Sequence, residues 1–266
     1  MLDLIDIGVN LAHRSFRSDL AQVIARATAA GVRALVITGT SETSSKAALE
    51  IARAHPGALH ATAGVHPHDA RRCGDGTIDA LRALAAEPEV VAIGECGLDY
   101  DRDFSPRPVQ DRWFEEQIRL ACELGMPLFL HERAAHARFL EILRPHRPAL
   151  AGAVVHCFTG GLAELEAYLA LDLHIGVTGW ICDERRGADL RAAVARVPLD
   201  RLLLETDAPF LTPRDLQPRP PKGRNEPAFL PHVLSAVARC MGRAPEEVAA
   251  STTATARRLF GLGAST

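Results

Sequence analysis

The sequence is 266 residues long, carries a formal net charge of −3 and is 47% hydrophobic. That size and apolar content suit a single large domain and exclude a disordered or low-complexity chain. The slightly acidic balance excludes a uniformly basic nucleic-acid binder, and no apolar run approaches the roughly 20 residues needed to cross a bilayer.

Apolar runs alternate with helical patterns from the start. Leu4–Val9 reads as a strand, followed by a helix over Asp19–Ala30 with Ser18 as its N-cap and Gly31 as its stop. Arg33–Gly39 is a second strand, and Ser41 caps a helix that ends before Pro56. Leu59–Val65 and the helix Ile78–Ala86 follow, then a strand from Val90 to Gly94 and a long amphipathic helix, Pro108–Leu124, stopped by Gly125. Pro127–Leu130, Ala153–His156, Leu173–Val177 and Arg201–Glu205 are the remaining strands. The helices Ala134–Leu143, Leu162–Leu171 and Glu184–Val197 separate them, and Pro227–Cys240 and Glu246–Phe260 close the chain.

Eight strand–helix repeats with continuously apolar strands suit a parallel sheet closed into a TIM (β/α)8 barrel. The rival, an open doubly wound sheet, would carry a Gly-rich fingerprint after an early strand, and no G-x-G-x-x-G follows Val9 or Ile37. The N-terminal stretch carries acids within its apolar run, unlike a signal peptide. A soluble cytoplasmic monomer is expected. The six scattered cysteines, with no C-x-x-C pair, read as reduced thiols. Cys96 and Cys157, beside polar strand ends, read as structural neighbours.

Barrel chemistry sits at the C-terminal ends of the strands. Here those ends carry Asp6 and Asn10, His66 and His68, Glu95, His131, His156, and Asp207. One histidine after an apolar run is more often a core residue than a ligand. Imidazoles at two successive strand ends, with acids at the fourth and eighth, form the mixed nitrogen and oxygen set that a divalent metal needs. Glu95, His131, His156 and Asp207 are the expected metal ligands, with Glu95 and Asp207 the catalytic acids and Asp207 the general base. His66 reads as a phosphate contact or a support for the ligands, and His68 as a weaker candidate. Arg133 reads either as a clamp on an anionic substrate or as a solvated arginine. Arg214, Arg219, Lys222 and Arg224 lie in a Pro-rich loop that either steers a phosphate backbone or is a rigid surface crossover. Trp180 either stacks on a base or merely packs.

Several longer segments carry a resemblance. They are Asp6-Ile-Gly-Val-Asn10, Thr62-Ala-Gly-Val-His-Pro-His-Asp69, Val90-Val-Ala-Ile-Gly-Glu-Cys-Gly-Leu-Asp99 and His156-Cys-Phe-Thr-Gly160. Thr178-Gly-Trp-Ile-Cys-Asp-Glu-Arg-Arg-Gly187, Leu203-Leu-Glu-Thr-Asp-Ala-Pro-Phe-Leu211 and Arg224-Asn-Glu-Pro227 complete the set. Together the chain resembles the TatD family of metal-dependent deoxyribonucleases. The resemblance implies an amidohydrolase-like barrel and 3′→5′ exonuclease action on single-stranded DNA, or RNA. It also implies magnesium as the cofactor, where the donor set alone would equally take manganese or zinc.

Two departures stand out. Many family members open with Asp-x-His-x-His, where this chain has Asp6-Ile-Gly8-Val-Asn10, so one well-held metal is expected rather than two. Ala134 follows Arg133 where an acid is expected. Because fold and metal do not fix the substrate, a metal-dependent ester or amide hydrolase, such as an aminoacyl-tRNA deacylase, is the alternative. A binding module with a vestigial site is a third.

Overall fold

The structure, a computed structural model, describes residues 3–263. Eight strands run in sequence order around one sheet: β1 (Leu4–Val9), β2 (Val32–Ile37), β3 (Leu59–Ala63), β4 (Val90–Asp99), β5 (Leu128–Arg133), β6 (Ala153–Val155), β7 (His174–Val177) and β8 (Leu202–Leu204). Each neighbouring pair from β1 to β8 is parallel. The β8–β1 seam is drawn together by the Asp207 N–H to the Gly8 carbonyl and the Asn10 N–H to the Ala208 carbonyl, each 2.8 Å. The result is the nearly closed barrel that the alternating pattern predicts.

Helices α1 (Leu20–Ala29), α2 (Glu42–Arg53), α3 (Thr77–Ala85), α4 (Arg107–Leu124), α5 (His136–Leu143), α6 (Leu162–Ala170) and α7 (Ala188–Val194) return the chain between strands. Helices α8 (Leu230–Met241) and α9 (Pro245–Phe260) follow β8. Their apolar faces cover the outside of the sheet, so strands such as β1 and β7 are buried at every position. Ser41 caps α2 as expected, its hydroxyl accepting from the Ser44 N–H while the Ser44 hydroxyl accepts from the Ser41 N–H.

Three local expectations are corrected. Ser18 does not cap α1: Asp19 holds the N-cap position, and its carboxylate is taken by Arg224 at 2.7 Å and Arg26 at 3.3 Å instead of by the helix backbone. α7 starts at Ala188 rather than Glu184, because the Asp183 carboxylate accepts the N–H groups of Arg185 and Arg186 and holds those residues in a turn. β4 runs on to Asp99 instead of ending near Gly94, with a register shift between Gly94 and Cys96 in its pairing to β5. That irregularity aims Glu95 away from the ladder: its N–H bonds to the Gly39 carbonyl at 2.7 Å.

The barrel interior is packed rather than hollow, with one exception of chemistry. Glu205 is fully buried within it, in space left by two glycines. A Cβ at Gly8 would lie 2.3 Å from Glu205 Oε2, and one at Gly176 would lie 2.5 Å from Oε1. No helix of the described residues is long and apolar enough to cross a membrane.

Candidate metal centre

The C-terminal mouth is a cavity of about 770 Å³ lined by Asn10, His66, Glu95, His131, His156 and Asp207, among others. The strand ends thus bring all four expected ligands to one place. Glu95 Oε1 is the hub: His131 Nδ1 lies 2.9 Å away, His156 Nε2 3.1 Å and His66 Nε2 3.4 Å. His66, Glu95 and His131 each offer a donor atom within 4.8 Å of the others. Asp207 lines the same mouth with one oxygen, Oδ1, accepting from Asn10 Nδ2 at 2.8 Å.

The ring nitrogens are not equivalent, and their outer partners distinguish them. His156 Nδ1 lies 2.9 Å from Glu205 Oε2, so that nitrogen carries a proton and Nε2 is left facing Glu95. A neutral imidazole would then set a lone pair against a carboxylate oxygen at 3.1 Å. A cation must lie between them, either a proton or a metal ion. The protein alone takes the proton: burial works against the His156 imidazolium, but Glu205 and Glu95 together raise its pKa well above the ordinary histidine value. Burial likewise works against charge on Glu95, yet His156, His66 and His131 hold its carboxyl well below the usual carboxylate range. His131 Nε2 is buried without a hydrogen bond; the nearest acid, Asp99 Oδ2, is 3.6 Å away. Two imidazole nitrogens, His131 Nδ1 and His156 Nε2, crowding one carboxylate oxygen fit a divalent ion.

His66 behaves differently. Its Nδ1 accepts the His68 N–H at 3.1 Å, so Nε2 bears the hydrogen and donates rather than ligates. Burial pushes its pKa down to about 4, which keeps it neutral near pH 7. The geometry therefore favours the phosphate-contact or supporting role over ligation. His68 Nε2 is 2.6 Å from Asp99 Oδ2 and is committed to that buried acid.

Two acids emerge that sequence reasoning passes over. Glu205 accepts both His156 Nδ1–H and the Cys157 N–H, at 2.5 Å for the latter. Asp99 accepts from His68 and, through Oδ1, from the Asp101 and Arg102 N–H groups. Burial opposes its charge, but His131, His68 and the Arg102 N–H hold its carboxyl well below the usual range. Both residues stand inside quoted motifs; an acid at the end of an apolar strand was the available signal.

The rim is looser. Arg133 is half-exposed and pairs with Asp101 at 2.9 Å, an ion pair weak enough for a substrate anion to compete. Glu132 accepts the Ala135 N–H at 2.7 Å and the Tyr168 hydroxyl at 2.8 Å. In the Pro-rich loop, Arg214 pairs with Asp183 at 3.0 Å and Arg224 with Asp19 and Glu226, leaving Arg219 and Lys222 without ion pairs among the described residues. Trp180 carries the Arg186 guanidinium over its ring at 4.3 Å. Cys157 is partly buried at the mouth, and desolvation pushes its thiol up to about 12, so it stays protonated and is no nucleophile.

A parallel barrel that gathers imidazoles and carboxylates at its C-terminal mouth defines a hydrolase of the metal-dependent class. A sequence profile described as TatD related DNase matches residues 5–261. A protein of Erwinia billingiae named "3'-5' ssDNA/RNA exonuclease TatD" is 54% identical, the match covering 98% of this chain and 100% of the relative. One of the same name from Pantoea vagans is 53% identical over 97% of this chain and its own full length. Among solved structures, the TatD homolog YJJV of Escherichia coli superposes with a TM-score of 0.89 at 28% identity, covering 98% of both chains. The Escherichia coli phosphotriesterase homology protein, at 14% identity and a TM-score of 0.67, shares the fold. The chain belongs to the TatD-related DNase family.

Proposed function

We propose that the protein is a metal-dependent 3′→5′ exonuclease that hydrolyses phosphodiester bonds of single-stranded DNA and RNA. The observation that carries this is the Glu95 hub, with two imidazoles crowding one carboxylate oxygen, in a chain of this family. The substrate and the polarity come from the names of its close relatives.

Glu95, His131 and His156 hold the divalent ion, with Asp207 as the fourth residue. Magnesium is our assignment, with manganese and zinc compatible with the same donors. When bound, the ion supplies positive charge against the scissile phosphate and acidifies water.

The chain's own groups do the rest. Burial pushes the Asp207 carboxyl up to about 7, with Glu95 and Glu205 adding to the rise against His156 and Asn10, so it is poised to take a proton from water at neutral pH. Asn10 fixes Oδ1, which leaves Oδ2 as the accepting atom. His66 Nε2–H donates to a phosphate oxygen, and Arg133 exchanges Asp101 for the substrate phosphate. Phe104 and Phe210, 54% and 49% exposed beside His68 and His13, offer ring faces on which bases stack. A duplex keeps its bases stacked on each other, so such platforms favour a single strand.

The test is cleavage of a 5′-labelled single-stranded oligonucleotide by chelated protein with magnesium, manganese or zinc restored. A metal-dependent ladder shortening from the 3′ end is expected. No cleavage with any metal by folded protein would overturn the proposal.

A further inference from the structure

Away from the mouth, three side chains of different loops and helices meet. Cys182 ends the short turn Gly179–Cys182 that follows β7, Asp215 lies in the Pro-rich loop after β8, and His232 is in the first turn of α8. His232 Nε2 and Asp215 Oδ1 are 2.7 Å apart. The Cys182 sulfur joins them, all three donor atoms lying within 4.8 Å of one another. Nothing in the chemistry proposed for the barrel mouth uses them.

We propose that Cys182, Asp215 and His232 form a second metal site, selective for zinc, that ties the two loops framing the mouth to α8. One soft sulfur, one imidazole and one carboxylate are the donor types zinc takes, whereas magnesium has little affinity for sulfur. Tetrahedral zinc places such donors about 3.5 Å apart, so the His232–Asp215 pair opens slightly from 2.7 Å while the sulfur stays within the 4.8 Å that the three donors span. On binding, the Cys182 S–H bond breaks and its proton leaves to solvent, His232 gives up the Nε2 hydrogen held against Asp215 and carries its one ring proton on Nδ1, and the thiolate and Asp215 balance the ion's two charges. Asp215 is exposed, so water reaches the fourth position. Burial and Asp215 push the Cys182 thiol up to about 12, so without an ion the group is a neutral thiol hydrogen-bonded to the carboxylate. Arg239, 4.0 Å from Asp215, is the nearby competing cation, and at 65% side-chain exposure it is free to swing into solvent.

The site's position gives it a consequence. The turn Gly179–Cys182 contains Trp180, and the loop leading to Asp215 contains Phe210 and Leu211, all of which line the mouth. The two segments already touch closely, since a Cβ on Gly179 would lie 2.4 Å from the Leu211 carbonyl. An ion at Cys182 would lock that wall of the cleft.

Cobalt titration of the full-length chelated protein tests this, because thiolate-bound cobalt has a charge-transfer band in the near ultraviolet that histidine and carboxylate ligands do not produce. The band is expected in the wild type and in Glu95→Ala, bleached in Glu95→Ala by one equivalent of zinc because the mouth centre no longer competes for it, retained in Cys157→Ser, and absent from Cys182→Ser and His232→Ala. No band in the folded wild type, or a band that survives Cys182→Ser, would overturn the proposal. The Glu95→Ala arm keeps the result independent of the barrel-mouth centre.

Discussion

The floor and the rim of the barrel mouth are built on opposite terms. On the floor, Glu95, His131 and His156 stand at strand ends close to buried acids. Glu205 sits under His156 in space that two glycines clear. Oδ2 of the buried Asp99 lies 3.6 Å from His131. The rim residues Arg133, Phe104, Phe210 and Lys222 stand on loops or strand tips with exposed side chains, and where they pair, as Arg133 does with Asp101, the pair is solvated. On the proposed reading the floor is preorganised for an ion and a proton, and the rim is adjustable, as a surface that follows a polymer must be.

Substitutions should separate the two regions by size of effect. Asp207→Asn removes the proton acceptor while retaining the shape, and kcat should fall about 100- to 10,000-fold. Steady-state kinetics at saturating metal would check this, and near-normal kcat would contradict it. Glu205→Gln should lower metal affinity or turnover about 10- to 100-fold by loosening the tautomer and orientation of His156, as loss of a ligand's outer partner usually does. A thermal unfolding scan alongside would show whether the variant remains folded. Arg133→Ala should raise KM for an oligonucleotide about 10-fold, worth about 1.4 kcal/mol, with kcat and melting temperature close to wild type, since the exposed pair with Asp101 contributes under about 1 kcal/mol. An unchanged KM would remove Arg133 from the substrate path.

A last effect, read in stability rather than turnover, belongs to a residue beneath both regions. Asp6 is fully buried against Thr206, and burial pushes its carboxyl up to about 8. The folded state therefore retains a proton that the unfolded chain releases near 3.8. This contribution is fully present below the unfolded value and is lost as pH rises through the folded one. The melting temperature of chelated protein should fall between those limits, and Asp6→Asn should flatten that fall. Parallel curves for the two proteins would show that Asp6 is not the group responsible.

The same division explains what the sequence made legible. Every strand was readable because helices cover the outer face of the sheet and the closed barrel packs the inner one, leaving unbroken apolar runs, and Glu95, His131 and His156 stood out as polar residues ending such runs. The role of Glu205 was not readable. Leu202–Leu204 and Glu205 look alike as a strand and its boundary, and only the closed barrel shows that Glu205 points inward over Gly8 and Gly176. The bend that projects Glu95 depends on a register shift that no local pattern encodes. On the rim, the cations of the Pro-rich loop look like a basic funnel, whereas Asp183 and Asp19, distant in sequence, and Glu226, two residues past Arg224, neutralise Arg214 and Arg224. Charge along a chain is visible; its partners are a property of the fold.

The most direct test of the account is to measure manganese binding by electron paramagnetic resonance and oligonucleotide cleavage on the same chelated samples of wild type and Glu95→Ala. The account predicts that the variant, still folded, loses the bound ion and cleavage together. An ion held as tightly as before, or cleavage that persists, would contradict the placement of the centre on Glu95.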